Sequence, residues 1–189
     1  MRQARAAFLG GEIQLRDGRR VTLRPVEHAD AAAILAFLDH LSEEDRRLRF
    51  FTGAANMRGN ARWAADADGI EHCGLLAIDR RGRVVGHAMY VRVDASRAEV
   101  AVEVADDFHH LGLATMLVAR LARDAAGRGV DRFIAEVLPE NRDMLAVFAD
   151  GFASVRTFAD GEVHVEFDTA SWELSQERFG DGALLEGAA

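Results

Sequence analysis

A chain of 189 residues with 49% apolar residues is large enough for one domain with a substantial core. Its formal net charge of −8 argues against general binding of nucleic acid, which requires a basic face. All 23 basic residues are arginine, so the chain has no lysine amine of its own to modify.

Cysteine content and apolar runs limit the compartment and the kind of site. Cys73 is the single cysteine, which excludes an intrachain disulfide and a cysteine-rich metal site. We therefore expect a cytoplasmic protein. The apolar run at 6–9 is too short for a signal peptide, and no stretch has the apolar length of a membrane span, so no membrane partner is expected.

The first third of the chain predicts a hairpin followed by helices. Segments 12–16 and 19–24 alternate apolar and polar residues around an Asp-Gly turn at 17–18, which indicates a β-hairpin. Capping residues and helical spacing then predict three helices, which begin after Asp30, after Ser42 with its capping-box partner Asp45, and at Asn56.

The remainder predicts alternating strands and helices. The strands are expected at 73–79, 84–93, 97–104, 132–137, 153–159 and 163–168, with helices at 113–126 and 141–150. The pattern weakens from residue 170, where Trp172 and Phe179 either dock on the body or fray. We predict one α+β domain over 1–169, a mixed and mostly antiparallel sheet flanked by helices, followed by a tail at 170–189.

The stretch 97–115 carries the clearest functional signal. An alternating strand leads through a polar loop into a turn of small residues that opens a helix. That order gathers backbone N–H groups at a helix N-terminus, which suits a phosphate-bearing ligand. Glu99 lies upstream on the same strand. A cradle for an anion beside a carboxylate suggests group transfer from a phosphorylated carrier.

This stretch resembles motif A of the GNAT acetyltransferases (Gcn5-related N-acetyltransferases), Gln/Arg-x-x-Gly-x-Gly/Ala, which stands here at 109–114 as His-His-Leu-Gly-Leu-Ala. The resemblance extends from about Val21 to Asp168. Short matches at 23–25, 41–42, 49–51, 85–86, 90–92, 98–101, 136–137 and 140–142 are similar to the bacterial Pat-type protein lysine acetyltransferases. The resemblance implies a GNAT fold.

The resemblance also implies that acetyl-CoA binds along the strand and the turn. The pantetheine arm would pair with the strand, the pyrophosphate would lie on the turn, and a backbone N–H near Val102 would polarise the thioester carbonyl. The alternative for the turn is an ordinary connection between strand and helix. The implied contacts are Val102, Glu103 and Val104 on the strand; His109, His110, Leu111, Gly112, Leu113, Ala114 and Thr115 in the turn; and Asn141, which can equally be an N-cap.

By the same resemblance, Glu99 is the general base. A lysine amine has an ordinary pKa of about 10.4, so it must lose a proton before it attacks. The alternative is an exposed carboxylate in a salt bridge with Arg97 or Arg92. Glu103, on the same strand face, assists the chemistry or is solvated or ion-paired.

Three positions depart from the family pattern or leave their role open. His109 replaces the first Gln or Arg of motif A; protonated His109 or His110 attracts the pyrophosphate, or both are solvated loop residues. Two adjacent histidines do not make a metal site, and no third ligand is evident, so no metal is expected.

Phe148 is nearest to the position of the tyrosine acid of many GNAT enzymes and cannot donate a proton. Tyr90 is a subfamily match or a core residue.

The leading expectation is direct transfer of the acetyl group from acetyl-CoA to an amine in a ternary complex, with a protein lysine as the acceptor and no covalent enzyme intermediate. A small-molecule amine acceptor is the alternative, because the acceptor groove is built by the variable region 51–71. A non-catalytic acyl-CoA-binding module is the third reading. A homodimer remains open.

Overall fold

The structure is a computed structural model that describes residues 10–51 and 55–173. Its eight strands form one sheet in the order β1-β2-β3-β4-β5-β6-β8-β7. The strands are β1 (Gly11–Gln14), β2 (Arg20–Pro25), β3 (His72–Asp79), β4 (Val84–Arg92), β5 (Arg97–Val104), β6 (Arg132–Val137), β7 (Val155–Ala159) and β8 (Glu162–Asp168). The helices are α1 (Ala31–His40), α2 (Glu43–Phe50), α3 (Met57–Ala65), α4 (Leu113–Ala126) and α5 (Arg142–Gly151).

The sheet is antiparallel except where β5 and β6 run parallel at its centre. The ladder between these two strands is short and joins residues 97–99 to residues 132–134. Beyond Glu99 the two strands separate, while β5 stays paired with β4 and β6 stays paired with β8. The divergence leaves an unpaired backbone edge in the middle of the sheet.

Apolar cores cover both faces of the sheet. On one face α4 packs its buried stripe, including Leu117 and Leu121, against β3, β4 and β5. On the other face α1 and α3 pack together over Leu76 and Val84. In contrast, α2 has no fully buried residue; polar contacts such as Arg49 to Glu103 and the partly buried Phe50, which packs against the second core, hold it on the body.

These elements confirm the predicted α+β fold and most predicted boundaries. The strand predicted to begin at 153 begins at Val155, because the Phe152 N–H still donates to the Phe148 carbonyl of α5 and the Ser154 N–H donates to the Phe152 carbonyl. Asp30 precedes α1 as expected, but its carboxylate does not cap the helix; it accepts from Arg24 and from the Glu27 N–H instead.

The tail and the membrane predictions have partial outcomes. Trp172 packs on the core, with the Arg123 guanidinium 4.9 Å from its ring centroid. Phe179 and the apolar run at 6–9 lie outside the described residues. Within residues 10–51 and 55–173, no helix combines the length and apolarity needed to cross a membrane.

Candidate active site

A cleft of about 450 Å³ opens where β5 and β6 separate. Val102, Glu103 and Val104 line it from β5, and residues 135–137 line it from β6. An extended chain can add to an unpaired strand edge through main-chain hydrogen bonds. The separation therefore supplies the kind of edge that the sequence analysis assigned to the pantetheine arm.

The turn before α4 lies at one end of this cleft. Gly112 has φ +85°, which favours glycine, and the first helical bond runs from the Met116 N–H to the Gly112 carbonyl. The N–H groups of Leu113, Ala114 and Thr115 consequently have no acceptor within the helix. These three residues line the cleft, so its end presents free donors and the positive end of a helix dipole.

The other residues of the turn have separate roles. His109 donates from Nε2 to the Val104 carbonyl at 2.9 Å, whereas His110 is exposed with its Nε2 3.6 Å from Asp143 Oδ2. Both histidines line the cleft. Leu111 does not; it packs on the core, and its carbonyl accepts from a backbone N–H of the β1–β2 hairpin.

His109 also belongs to a small polar cluster that the sequence analysis did not find. Ligand atoms of Asp45, Asp106 and His109 lie within 4.8 Å of one another. Burial raises the pKa of Asp45 and outweighs the hydrogen bond from Ser42, which lowers it. The neighbouring Asp106 carboxyl raises the pKa of Asp45 further. Because Asp45 is bonded to Ser42 and His109 to Val104, these contacts explain the cluster as the junction between α2 and the end of β5.

A second cleft of about 280 Å³ lies between the sheet and helices α1 to α3. Its lining includes the exposed ring of Trp63, which stacks on His72 with ring centroids 4.3 Å apart. Four residues line both clefts: Arg49, Glu99, Ala101 and Glu103. The two cavities thus meet at one stretch of β5.

Glu99 is the exposed carboxylate at this meeting point. Its carboxylate makes no hydrogen bond or ion pair with any other residue in the described ranges. Of the two salt-bridge partners considered from the sequence, Arg97 bonds to Asp94, and Arg92 bonds to backbone carbonyls with Glu71 4.0 Å away. The ion-pair alternative for Glu99 therefore has no support in the described residues.

Glu103 lies on the same strand face, but its environment is the opposite. Its side chain is buried, Oε1 accepts from His87 Nδ1 at 2.7 Å, and Oε2 accepts from Arg49 Nε at 2.8 Å. Burial alone would raise the pKa of Glu103, but the charges and hydrogen bonds of Arg49 and His87 outweigh it and lower the pKa to about 2. The ion-paired alternative is confirmed, the solvated one is wrong, and a carboxylate this acidic is a poor base.

The α5 end of the cleft contains two further predicted positions. Asn141 caps α5, because its Oδ1 accepts from the Met144 N–H at 3.1 Å, and it also lines the cleft. Phe148 lines the cleft from the buried side, with its ring 5.5 Å from that of Phe167. Phe148 is therefore part of a buried aromatic cluster, and its ring offers no proton to the cleft.

Tyr90 is a core residue. It is fully buried, and its hydroxyl donates to Asp124 Oδ2 at 3.1 Å. Burial raises the pKa of Tyr90 far above its ordinary value, and the neighbouring Cys73 and Asp124 raise it further. Tyr90 lines neither cleft.

Comparison with known proteins agrees with this geometry. The family described as "Acetyltransferase (GNAT) domain" matches residues 20–150. Acetyltransferase Pat of Mycolicibacterium smegmatis is 32% identical over 147 residues, which cover 76% of this chain and 44% of the relative. This chain thus spans less than half the length of that protein.

Solved structures show the same fold. The GNAT domain of S. lividans PAT superposes with a TM-score of 0.79 at 32% identity, covering 86% of this chain and 98% of that one. Spermidine N-acetyltransferase from Vibrio cholerae, solved with CoA and spermine, superposes with a TM-score of 0.64 at 13% identity, covering 81% and 98%. At that low identity, the second likeness concerns the fold alone.

The chain belongs to the GNAT acetyltransferases, a family of N-acetyltransferases. Within the family it is similar to the bacterial Pat acetyltransferases, as the sequence predicted.

Proposed function

We propose that this protein transfers the acetyl group of acetyl-CoA directly to a primary amine, with a protein lysine as the acceptor and Glu99 as the general base. The observation that carries the proposal is the meeting of the two clefts at Glu99. One cleft has a free strand edge and a helix N-terminus for a phosphorylated thioester. The other is lined by the same stretch of β5 and by residues of α1, α2 and α3.

The first cleft suits acetyl-CoA in two ways. The edge of β5 at Val102 to Val104 offers main-chain partners to the amide groups of a pantetheine arm. The free N–H groups at Leu113, Ala114 and Thr115 suit the pyrophosphate. A β5 backbone N–H near Val102 would stabilise the oxyanion that forms on the thioester carbonyl.

Glu99 suits the proton transfer because it is exposed and unpaired within the described residues. An amine enters mostly as an ammonium ion, and the carboxylate, through a water molecule, takes one proton. The neutral amine nitrogen then bonds to the carbonyl carbon and loses its second proton to solvent, while the carbon–sulfur bond breaks and CoA leaves as a thiolate. Since Phe148 cannot protonate it, solvent would supply that proton.

A protein lysine is favoured as acceptor by the likeness to Pat acetyltransferases and by the chain's net charge of −8, which attracts basic segments. A small amine is the second candidate, because the acceptor groove is expected from the variable region 51–71, part of which lines the second cleft. The second cleft, with Trp63 at its wall, can hold an alkyl chain of either source.

Acetyl transfer by wild type and Glu99→Gln tests the proposal, with Glu166→Gln as a matched control. Glu166 lies on β8, pairs with Arg132, and lines neither cleft. We expect Glu99→Gln to lower kcat by about 100-fold or more while the Kd for acetyl-CoA stays constant, and Glu166→Gln to behave as wild type. Full turnover by Glu99→Gln would remove Glu99 from the mechanism, and the absence of turnover in wild type would favour a binding module.

A further inference from the structure

The β1–β2 hairpin is packed against the turn of motif A, although it begins before the family match at residue 20. The Arg16 backbone N–H lies 3.4 Å from the Leu111 carbonyl that accepts its hydrogen bond. The Arg19 guanidinium donates to the Asp107 carbonyl at 2.7 Å and lies 4.1 Å from the centroid of the Phe108 ring. The hairpin therefore contacts the loop that leads to Gly112 at two points.

This contact places the Arg16 side chain at the end of the first cleft. Arg16 is exposed and lines that cleft. A Cβ built on Gly112 would lie 3.6 Å from Arg16 Nε and 4.0 Å from its Cζ. The guanidinium consequently lies beside the residue that precedes the free N–H groups of α4.

The side chains around the turn are mostly acidic or already hydrogen-bonded, which leaves room for a cationic contact from Arg16. His109, at the motif position that is Gln or Arg in the family, uses its Nε2 on the Val104 carbonyl. His110 has Asp143 as a neighbour at 3.6 Å, and the cleft also contains the carboxylates of Asp45 and Glu140. A carrier with several phosphate charges needs cations to offset this acidic lining.

We propose that Arg16 binds the pyrophosphate of acyl-CoA and supplies from the N-terminal hairpin the side-chain contact that His109 does not make. The inference rests on the proposed function. A guanidinium can donate two parallel hydrogen bonds to a phosphate group, which gives direction as well as charge. Arg142 also lines the cleft, but from α5 rather than beside Gly112.

The test is calorimetry on wild type, Arg16→Gln, Arg16→Lys and the control Arg20→Gln. Arg20 is on the same hairpin, pairs with Glu12 at 2.8 Å, and does not line the cleft. Three ligands separate the possible contacts: acetyl-CoA, its dephospho form without the 3′-phosphate, and S-acetylpantetheine without any phosphate.

We expect Arg16→Gln to raise the Kd of both nucleotide ligands about tenfold and to weaken the dependence of that Kd on salt concentration. S-acetylpantetheine should bind to Arg16→Gln as it does to wild type. Arg16→Lys should retain the salt dependence, and Arg20→Gln should match wild type. Thermal unfolding checks that each variant folds. If Arg16→Gln does not fold, Arg16→Lys still tests the contact, because lysine keeps the charge but not the two parallel hydrogen bonds of a guanidinium.

Three results would overturn the inference. Unchanged affinity in Arg16→Gln would exclude the contact, and a loss confined to acetyl-CoA would assign Arg16 to the 3′-phosphate. An equal loss for S-acetylpantetheine would show that the arginine acts only on the shape of the cleft. If wild type binds no acetyl-CoA, the proposed function fails instead, so the two failures are distinguishable.

Discussion

Replacing Glu103 by glutamine tests the buried ion-pair cluster of Arg49, Glu103 and His87. The Glu103 side chain is buried, and its pKa falls from 4.5 to about 2 because Arg49 and His87 outweigh the effect of burial. At roughly 1.36 kcal/mol per pKa unit, this difference corresponds to about 3 kcal/mol in favour of the carboxylate. Loss of one partner of a buried pair also leaves Arg49 without a counterion. We therefore expect Glu103→Gln to lose about 3 kcal/mol at neutral pH.

The pH dependence of this loss distinguishes ionisation from packing. Because the folded-state pKa lies below the unfolded one, the contribution is present at neutral pH and disappears as pH falls from about 4.5 towards 2. The difference between wild type and Glu103→Gln should thus shrink from about 3 kcal/mol at pH 7 to about 2 kcal/mol at pH 3.5.

Urea unfolding of wild type, Glu103→Gln and Glu43→Gln at both pH values measures these differences. Glu43 is exposed at the start of α2 and serves as the control, with an expected change within about 0.5 kcal/mol. A loss below about 0.5 kcal/mol in Glu103→Gln, or a larger loss that does not change with pH, would refute the electrostatic reasoning.

Two further substitutions test single sites. Gly112→Ala would force a side chain into a backbone conformation with φ +85° beside the free N–H groups of α4. We expect about tenfold weaker acetyl-CoA binding by calorimetry and a stability loss of about 1 kcal/mol. Unchanged affinity would argue against a phosphate at this turn. Tyr90→Phe removes one hydrogen-bond donor from Asp124, which keeps its ion pair with Arg128. We expect the free energy of unfolding, measured by thermal unfolding, to fall by about 1 kcal/mol while kcat stays normal. A fall in kcat without lost stability would place Tyr90 in the chemistry instead.

Local signals in the sequence were sufficient for the elements and for the turn. Asp-Gly at 17–18 and the Ser42 cap specify structure within a few residues, so the hairpin and α2 could be predicted from them. Gly112 is equally local, because the strand, the turn and α4 follow one another along the chain.

Side-chain partners that are distant along the chain could not be predicted in the same way. Arg49 and Glu103 are 54 residues apart, and their pairing depends on how α2 lies across β5. The same alternation that places Glu99 and Glu103 on one face of β5 cannot reveal that only Glu103 is buried. Arg16 likewise reaches Gly112 only through the packing of a hairpin on a loop.

Calorimetric titration of the wild-type protein with acetyl-CoA, checked by thermal shift, is the most direct test of the central claim that the opening between β5 and β6 holds this thioester. We expect binding with a Kd in the micromolar range, on the order of −8 kcal/mol, together with a rise in Tm as the ligand stabilises the folded state. No binding and no stabilisation at about millimolar acetyl-CoA, which corresponds to roughly −4 kcal/mol or weaker, would contradict the claim that this opening holds acetyl-CoA.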